Sequence, residues 1–174
     1  MRIIAGRWRG RRIKAPKGTE VRPTTDRVRE AWMSALGASV VDARILDLYA
    51  GSGALGLEAL SRGARSVVFV ERARASYLSL EANIGTLDAS DSAAIVKGDA
   101  LTYLRRLDPN AFDVALADPP YAGGHALAVA ERYLDQPFAS ELWLEHRTGE
   151  ELPEARDRRQ RSYGETTLTT YFGS

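Results

Sequence analysis

Asp47-Leu48-Tyr49-Ala50-Gly51-Ser52-Gly53-Ala54-Leu55-Gly56 is the stretch that decides the fold of this chain. The run before it, Arg44–Tyr49, reads as a buried strand, and an apolar helical segment at about 54–62 follows. Glycines at that junction let the chain turn sharply and bring backbone N–H groups against a ligand. Read bare, residues 51–56 are G-x-G-x-x-G, and Glu71 lies twenty residues beyond Gly51, where an acidic side chain takes ribose hydroxyls. A nicotinamide-dependent oxidoreductase is therefore one reading, and a tight turn without a ligand is another. Asp47 points elsewhere. A carboxylate at the strand end repels a pyrophosphate but suits the ammonium of an amino acid, and S-adenosylmethionine carries an amino acid, a ribose and an adenine without phosphate.

Outward from this turn, short apolar runs alternate with helical segments, the pattern of a parallel sheet covered on both faces. The expected strands are Arg44–Tyr49, Ser66–Glu71, Ala93–Lys97, Asp113–Ala117 and Glu141–Glu145, with helices at about 54–62, 74–85, 100–107 and 124–135. Arg158–Tyr163 and Thr167–Tyr171, joined by Gly164-Glu165-Thr166, read as a closing hairpin. The expected fold class is α/β, a Rossmann-like, mostly parallel seven-stranded sheet with an antiparallel C-terminal hairpin and a small basic N-terminal extension. Asp47, Glu71, Asp99 and Asp118 all fall at the carboxyl ends of consecutive expected strands, the edge where open α/β sheets bind ligands. Glu71 can accept from both ribose hydroxyls. Asp99 can accept from an adenine NH2 while Ala100 leaves room for the ring. Each carboxylate taken alone also reads as a helix cap; their registration is the stronger signal.

The fourth strand runs into Asp118-Pro119-Pro120-Tyr121. An exocyclic NH2 on a nucleobase is a poor nucleophile because its lone pair is delocalised into the ring. The Asp118 carboxylate and the Pro119 carbonyl, held by two residues of fixed φ, can accept its hydrogens and favour a pyramidal nitrogen. Tyr121 can stack on the ring. The competing reading is a capped turn in which Asp118 only satisfies backbone N–H groups.

The 174 residues fit one domain, and 44% hydrophobic and 27% charged residues are ordinary for a globular protein. Without cysteine there is no disulfide, thiolate zinc site or cysteine nucleophile, and His125 and His146 lack a metal-ligand spacing, so no metal is expected. No run approaches the ~18 apolar residues of a membrane span or the core of a signal peptide. A cytoplasmic monomer without a membrane partner is expected.

The net charge of +1 conceals a division. Residues 1–30 hold ten Lys or Arg against three acidic residues, so the remainder is acidic. The head, Arg2–Arg7 and Arg11–Ala15 around Trp8-Arg9-Gly10, reads as a basic hairpin, with Trp8 either stacking on a base or anchoring the turn. A helix through Leu36 follows, capped by Thr24 or Thr25 and packing Val28, Trp32 and Leu36 inward. The division expected is residues 1–37 as the basic extension and 38–174 as the catalytic domain. An arginine-dominated segment suits a polyphosphate partner.

Taken together, Arg2-Ile3-Ile4-Ala5-Gly6, the run Arg22-Pro23-Thr24-Thr25-Asp26-Arg27 through Ala31, the glycine motif extended from Asp47 to Ala64, Asp118-Pro119-Pro120-Tyr121 and Tyr163-Gly164 resemble class I S-adenosylmethionine-dependent methyltransferases. The resemblance is specifically to the RsmD family, which methylates the exocyclic N2 of a guanine in 16S ribosomal RNA. It covers nearly the whole chain. The pair Trp32-Met33, and a segment between Glu145 and Arg158 too short for a full helix, depart from the family pattern. The resemblance implies S-adenosylmethionine held by Asp47, Tyr49, Ala50, Gly51, Gly53, Leu55, Glu71, Arg72, Asp99, Ala100 and Asp118. It further implies transfer at Asp118, Pro119, Pro120 and Tyr121 to a base flipped from its stack. Small-subunit RNA or a ribosomal particle would be gripped by Arg2, Arg7, Arg9, Arg11, Arg12 and Lys14, with Arg22, Thr24, Thr25 and Arg27 nearer the pocket. An adenine-N6 methyltransferase, a protein-glutamine methyltransferase and a non-catalytic RNA-binding protein are the other readings.

Overall fold

The computed structural model describes residues 1–18 and 26–173. Helix α1 (Asp26–Leu36) and a short 3-10 turn (Gly37–Val40) lead into β1 (Arg44–Leu48), α2 (Ala54–Ser61), β2 (Ser66–Glu71), α3 (Arg74–Thr86) and β3 (Ala93–Lys97). Then come α4 (Ala100–Leu104), β4 (Phe112–Ala117), α5 (His125–Asp135), β5 (Ala139–Arg147), β6 (Arg158–Tyr163) and β7 (Thr166–Phe172). The seven strands form one sheet in the order β3-β2-β1-β4-β5-β7-β6. All neighbours through β5 are parallel, and β7 pairs antiparallel with both β5 and β6. The mixed Rossmann-like sheet is therefore the one expected.

The crossovers explain where a site can form. From β1 the chain winds outward through β2 to β3, then returns to place β4 on the other side of β1. At that reversal the connections leave in opposite directions and open a crevice at the carboxyl ends of β1 and β4. Leu48 is paired with Ala117, which sets Tyr49 and Asp118 side by side at its mouth. Two apolar layers cover the sheet, one including Trp32, Leu57, Phe69 and Trp143, the other including Leu46, Leu104, Tyr133 and Tyr171.

Two element lengths differ most from expectation. β5 runs nine residues rather than five, because β7 supplies ladder partners from Glu141 to Arg147. α4 stops at Leu104 instead of residue 107, and the Arg132 guanidinium of α5 donates to the carbonyls of Leu104 and Leu107. The segment between β5 and β6 holds no helix. It is fixed by buried Leu152 and by the Tyr171 hydroxyl, which donates to the Pro153 carbonyl at 2.8 Å. In α1, Trp32 and Leu36 face inward as expected, Met33 joins them, and Val28 is only half-buried.

The head is a hairpin docked on the body. Its two arms pair as a short antiparallel hairpin around the Arg2–Arg12 bridge, with Ile3 donating to the Arg11 carbonyl, Gly10 to the Ile3 carbonyl and Ile13 to the Met1 carbonyl. Other N–H groups of the head are spent on the body: Ile4 and Ala5 donate to Glu58 at 2.9 and 3.0 Å, Trp8 donates to the Ser61 hydroxyl, and Lys14 donates to Asn83. Ile3, Trp8 and Ile13 lie in the core, so Trp8 is an anchor. Gly6 (φ +85°) makes this approach possible, because a Cβ there would sit 1.9 Å from the Ser61 carbonyl oxygen. Arg29, fully buried on α1, closes the junction by donating to the Arg2 carbonyl and the Asp26 carboxylate.

Candidate active site

The glycine turn is held from both sides by carboxylates. Asp47, 1% exposed on β1, accepts the Gly56 N–H at 2.9 Å. Gly56 has no room for a side chain: a Cβ would meet the Phe69 ring at 2.4 Å and the Asp47 carboxylate at 2.9 Å. Glu71, at the end of β2, accepts the Gly51 N–H through one oxygen and the Ala73 N–H through the other, both at 2.7 Å. The turn is thus built by backbone donors converging on acids, which leaves the acids at the crevice floor.

Burial pushes the Asp47 carboxyl well above the usual carboxylate range, and the negative charges of Asp118 and Glu71 add to that rise while the Gly56 bond opposes it. A cation against Asp47 would relieve that strain, as the ammonium of a methionine moiety can. Asp99 lies beyond β3 and is held below the usual range chiefly by the Thr102 N–H, which it accepts at 2.9 Å while capping α4. Its second oxygen has no partner among the described residues. Ala100 is buried beside it. The expected cofactor residues Tyr49, Ala50, Gly51, Gly53 and Leu55 line the same turn, and Arg72 is exposed just past Glu71.

At the other wall, Asp118 is half-buried, Pro119 buried and Pro120 exposed. The Tyr121 hydroxyl lies 2.7 Å from that of Thr166 at the start of β7, which fixes the position of the ring. Two connections escape a reading of the sequence. Besides Thr166, His125 at the first turn of α5 puts Nδ1 3.1 Å from the Tyr49 hydroxyl, with the rings edge to face. That contact ties the glycine turn to the segment following Tyr121. The doubled glycine before His125 was the available signal; nothing in the hairpin sequence singles out Thr166.

Of the expected RNA contacts, Arg2, Arg7, Arg9, Arg11, Arg12, Lys14 and Arg27 are exposed. Arg7 lies over the Trp8 ring, 4.0 Å from its centroid, and Arg11 donates to the Thr86 carbonyl. Arg22, Thr24 and Thr25 lie outside the described residues. Among the described residues no group of three or more His, Asp or Glu side chains could hold a metal, and no helix is long and apolar enough to cross a membrane.

A family model described as Conserved hypothetical protein 95 matches residues 1–172. The chain belongs to this family, the RsmD family of class I methyltransferases. A relative in Escherichia coli K12, Ribosomal RNA small subunit methyltransferase D, is 44% identical over 124 residues, covering 71% of this chain and 62% of that protein. The chain thus matches less than two thirds of that relative's length. The Bacillus subtilis protein YlbH is 34% identical over 180 residues, 98% of each chain. The solved structure of Escherichia coli yhhF superposes with a TM-score of 0.85 at 35% identity, covering 99% and 97% of the two chains. The Thermus thermophilus 16S rRNA N2 methyltransferase RsmC, solved with AdoMet and guanosine, shares the fold (TM-score 0.67, 23% identity, 90% of this chain and 46% of that one). Family membership sets aside the nicotinamide reading of the glycine turn.

Proposed function

We propose that this protein methylates ribosomal RNA of the small subunit, at the exocyclic N2 amine of a guanine, with S-adenosylmethionine as methyl donor. The observation that carries the reading is the meeting of the Asp118-Pro119-Pro120-Tyr121 turn with the Asp47 and Glu71 acids at one sheet reversal. The residues present fit the cofactor: Asp47 would hold its ammonium, Glu71 its ribose hydroxyls and the free oxygen of Asp99 its adenine NH2, while the turn from Tyr49 to Leu55 lies along it. Bound there, S-adenosylmethionine supplies an activated methyl on a sulfonium.

The remaining work belongs to the protein. Asp118 and the Pro119 carbonyl accept the hydrogens of the target amine, orient its lone pair and stabilise the positive charge that grows on nitrogen. Tyr121, tethered through Thr166, offers the flipped base a stacking face that offsets part of the unstacking cost. The amine proton becomes acidic once the new bond forms, so Asp118 need not be a strong base. Residues 1–37 serve as the RNA-gripping part and 38–174 as the catalytic part. The exposed arginines of the head hold phosphate, giving salt-dependent binding with little base selection.

The test is methylation of unmodified small subunits with labelled donor, followed by digestion and identification of the nucleoside. N2-methylguanosine is expected; N6-methyladenosine in its place would overturn the guanine assignment.

A further inference from the structure

Beyond the head, a second group of arginines lies on the outermost strand. Through the β7 ladder, Tyr163 is level with Thr166 and Arg147, Arg161 with Leu168 and Glu145, and Arg159 with Thr170 and Trp143. Laterally paired residues share a sheet face. Tyr163, Arg161 and Arg159 therefore form a single row on the face that carries Thr166, the residue bonded to Tyr121. Successive members of the row are ~6.6 Å apart, two residues of extended strand, a step close to that between neighbouring phosphates of an extended nucleic-acid strand. Between this row and α1 runs an open groove of about 170 Å³ with Ala35, Trp143, Leu168 and Phe172 among its lining residues.

Charges on an edge strand can serve only to prevent pairing with other sheets. The partners of these arginines separate the two roles. Arg158, on the opposite face, is consumed: it pairs with Glu154 at 2.6 Å and reaches the Leu152 and Pro153 carbonyls. Arg159 and Arg161 are exposed and form no ion pair among the described residues, and Arg159 is braced over the Phe172 ring, 5.2 Å from its centroid. The acid lining the groove, Glu141, is already engaged by the Ser39 hydroxyl and the Trp143 indole N–H at 3.0 and 2.8 Å. Two phosphate-seeking side chains thus flank a groove that holds the Trp143 and Leu168 side chains, in line with the tyrosine of the target pocket.

We infer that the β6 face formed by Arg159, Arg161 and Tyr163 is a track for the single-stranded RNA adjoining the target nucleotide, with phosphates on the two arginines and a flanking base in the Trp143–Leu168 groove. The inference rests on the RNA-methylating reading above and extends it to a surface separate from the head. An enzyme gripping RNA at both ends of the sheet holds the strand across the pocket rather than at one side of it.

The test compares three double variants of the full chain. Arg159→Ala with Arg161→Ala is expected to weaken RNA binding at least ~10-fold at physiological salt, and to lower the slope of log affinity against log salt by about 1.4, two single-strand phosphate contacts. Affinity for S-adenosylhomocysteine and kcat at saturating RNA should be unchanged. Arg159→Lys with Arg161→Lys should recover most of the binding, since a point charge still meets phosphate. Arg44→Ala with Arg65→Ala removes the same charge at the amino ends of β1 and β2 and should leave RNA affinity intact. Unchanged binding in the first variant, or an equal loss in the third, would overturn the track. If the wild type binds RNA through this face yet forms no N2-methylguanosine, the functional reading fails and the surface stands. If it methylates guanine and the first variant binds normally, the surface alone fails; a wild type that binds no RNA would sink both.

Discussion

Glu58 on α2 and Asp47 on β1 are hidden from water to the same degree, at 0% and 1% exposure, and sit at two ends of one short segment of chain. Glu58 is surrounded by donors: the Ile4 and Ala5 N–H groups and the Arg62 guanidinium, all within 3.0 Å. Asp47 has one donor, the Gly56 N–H, and the charges that bear on it are the like charges of Asp118 and Glu71. The first arrangement is complete and holds the head to the body. The second is incomplete, and a cationic ligand would complete it. Burial of a carboxylate therefore says little about its role until its partners are counted.

This contrast can be broken by measurement. Asp118→Ala should cost about 10²–10³ in kcat, the usual consequence of removing a group aimed at developing charge, while S-adenosylhomocysteine affinity in calorimetry persists. Wild-type turnover would deny Asp118 its role. Glu58→Ala should destabilise the fold by about 3 kcal/mol, because it strands two backbone donors and a guanidinium. The melting temperature should then fall by about 6–12 °C. An unchanged melting temperature would erase the distinction between the two acids.

Asp47→Asn should act in the opposite sense. It removes a carboxyl whose ionisation is opposed by burial and by like charges, so the ligand-free protein should melt at the same temperature or higher while losing ~10-fold or more in cofactor affinity, about 1.4 kcal/mol. Loss of stability together with affinity would make Asp47 structural like Glu58. The smallest effect is the pH dependence of that difference. Because the folded-state pKa of Asp47 is raised, its contribution to stability is fully present below the unfolded value of 3.8 and is lost as pH rises through the folded value. The gap in melting temperature between wild type and Asp47→Asn should therefore be widest near neutrality and close as pH falls toward 4, whereas cofactor affinity should rise with pH through the same window.

The head also changes the design of its own test. Deleting residues 1–17 would remove Ile3, Trp8 and Ile13 from the core, so neutralising Arg7, Arg9 and Arg12 together is the informative variant. Weaker RNA binding with intact cofactor binding is expected, and unchanged RNA affinity would count against the head as a phosphate grip.

Much of the sheet was legible because each βα unit announces itself locally: an apolar run, a turn, and an acid at a fixed place. Asp47, Glu71, Asp99 and Asp118 could be aligned from spacing alone, since the strands that carry them are parallel and similar in length. The head was legible as a hairpin from its alternation of Arg with Ile and Trp, but its docking was not, because the N–H groups left outside its own pairing are taken by Glu58, Ser61 and Asn83, between 53 and 69 residues away. Thr166, His125 and the Arg159–Arg161 row were invisible for a related reason. Their meaning depends on which strand β7 lies beside and which face each side chain takes.

The sequence by itself determined the parallel sheet, the glycine turn, the order of the acids along the edge and the place of the Asp118-Pro119-Pro120-Tyr121 turn at a strand end, because these follow from local periodicity and from residue types with few alternative uses. Tertiary structure alone decided which buried acid is satisfied and which is strained, that the basic head shares the core, and that the outer strand presents two arginines in line with Tyr121. Those properties are sums over partners brought together from distant parts of the chain, and no local pattern encodes the sum.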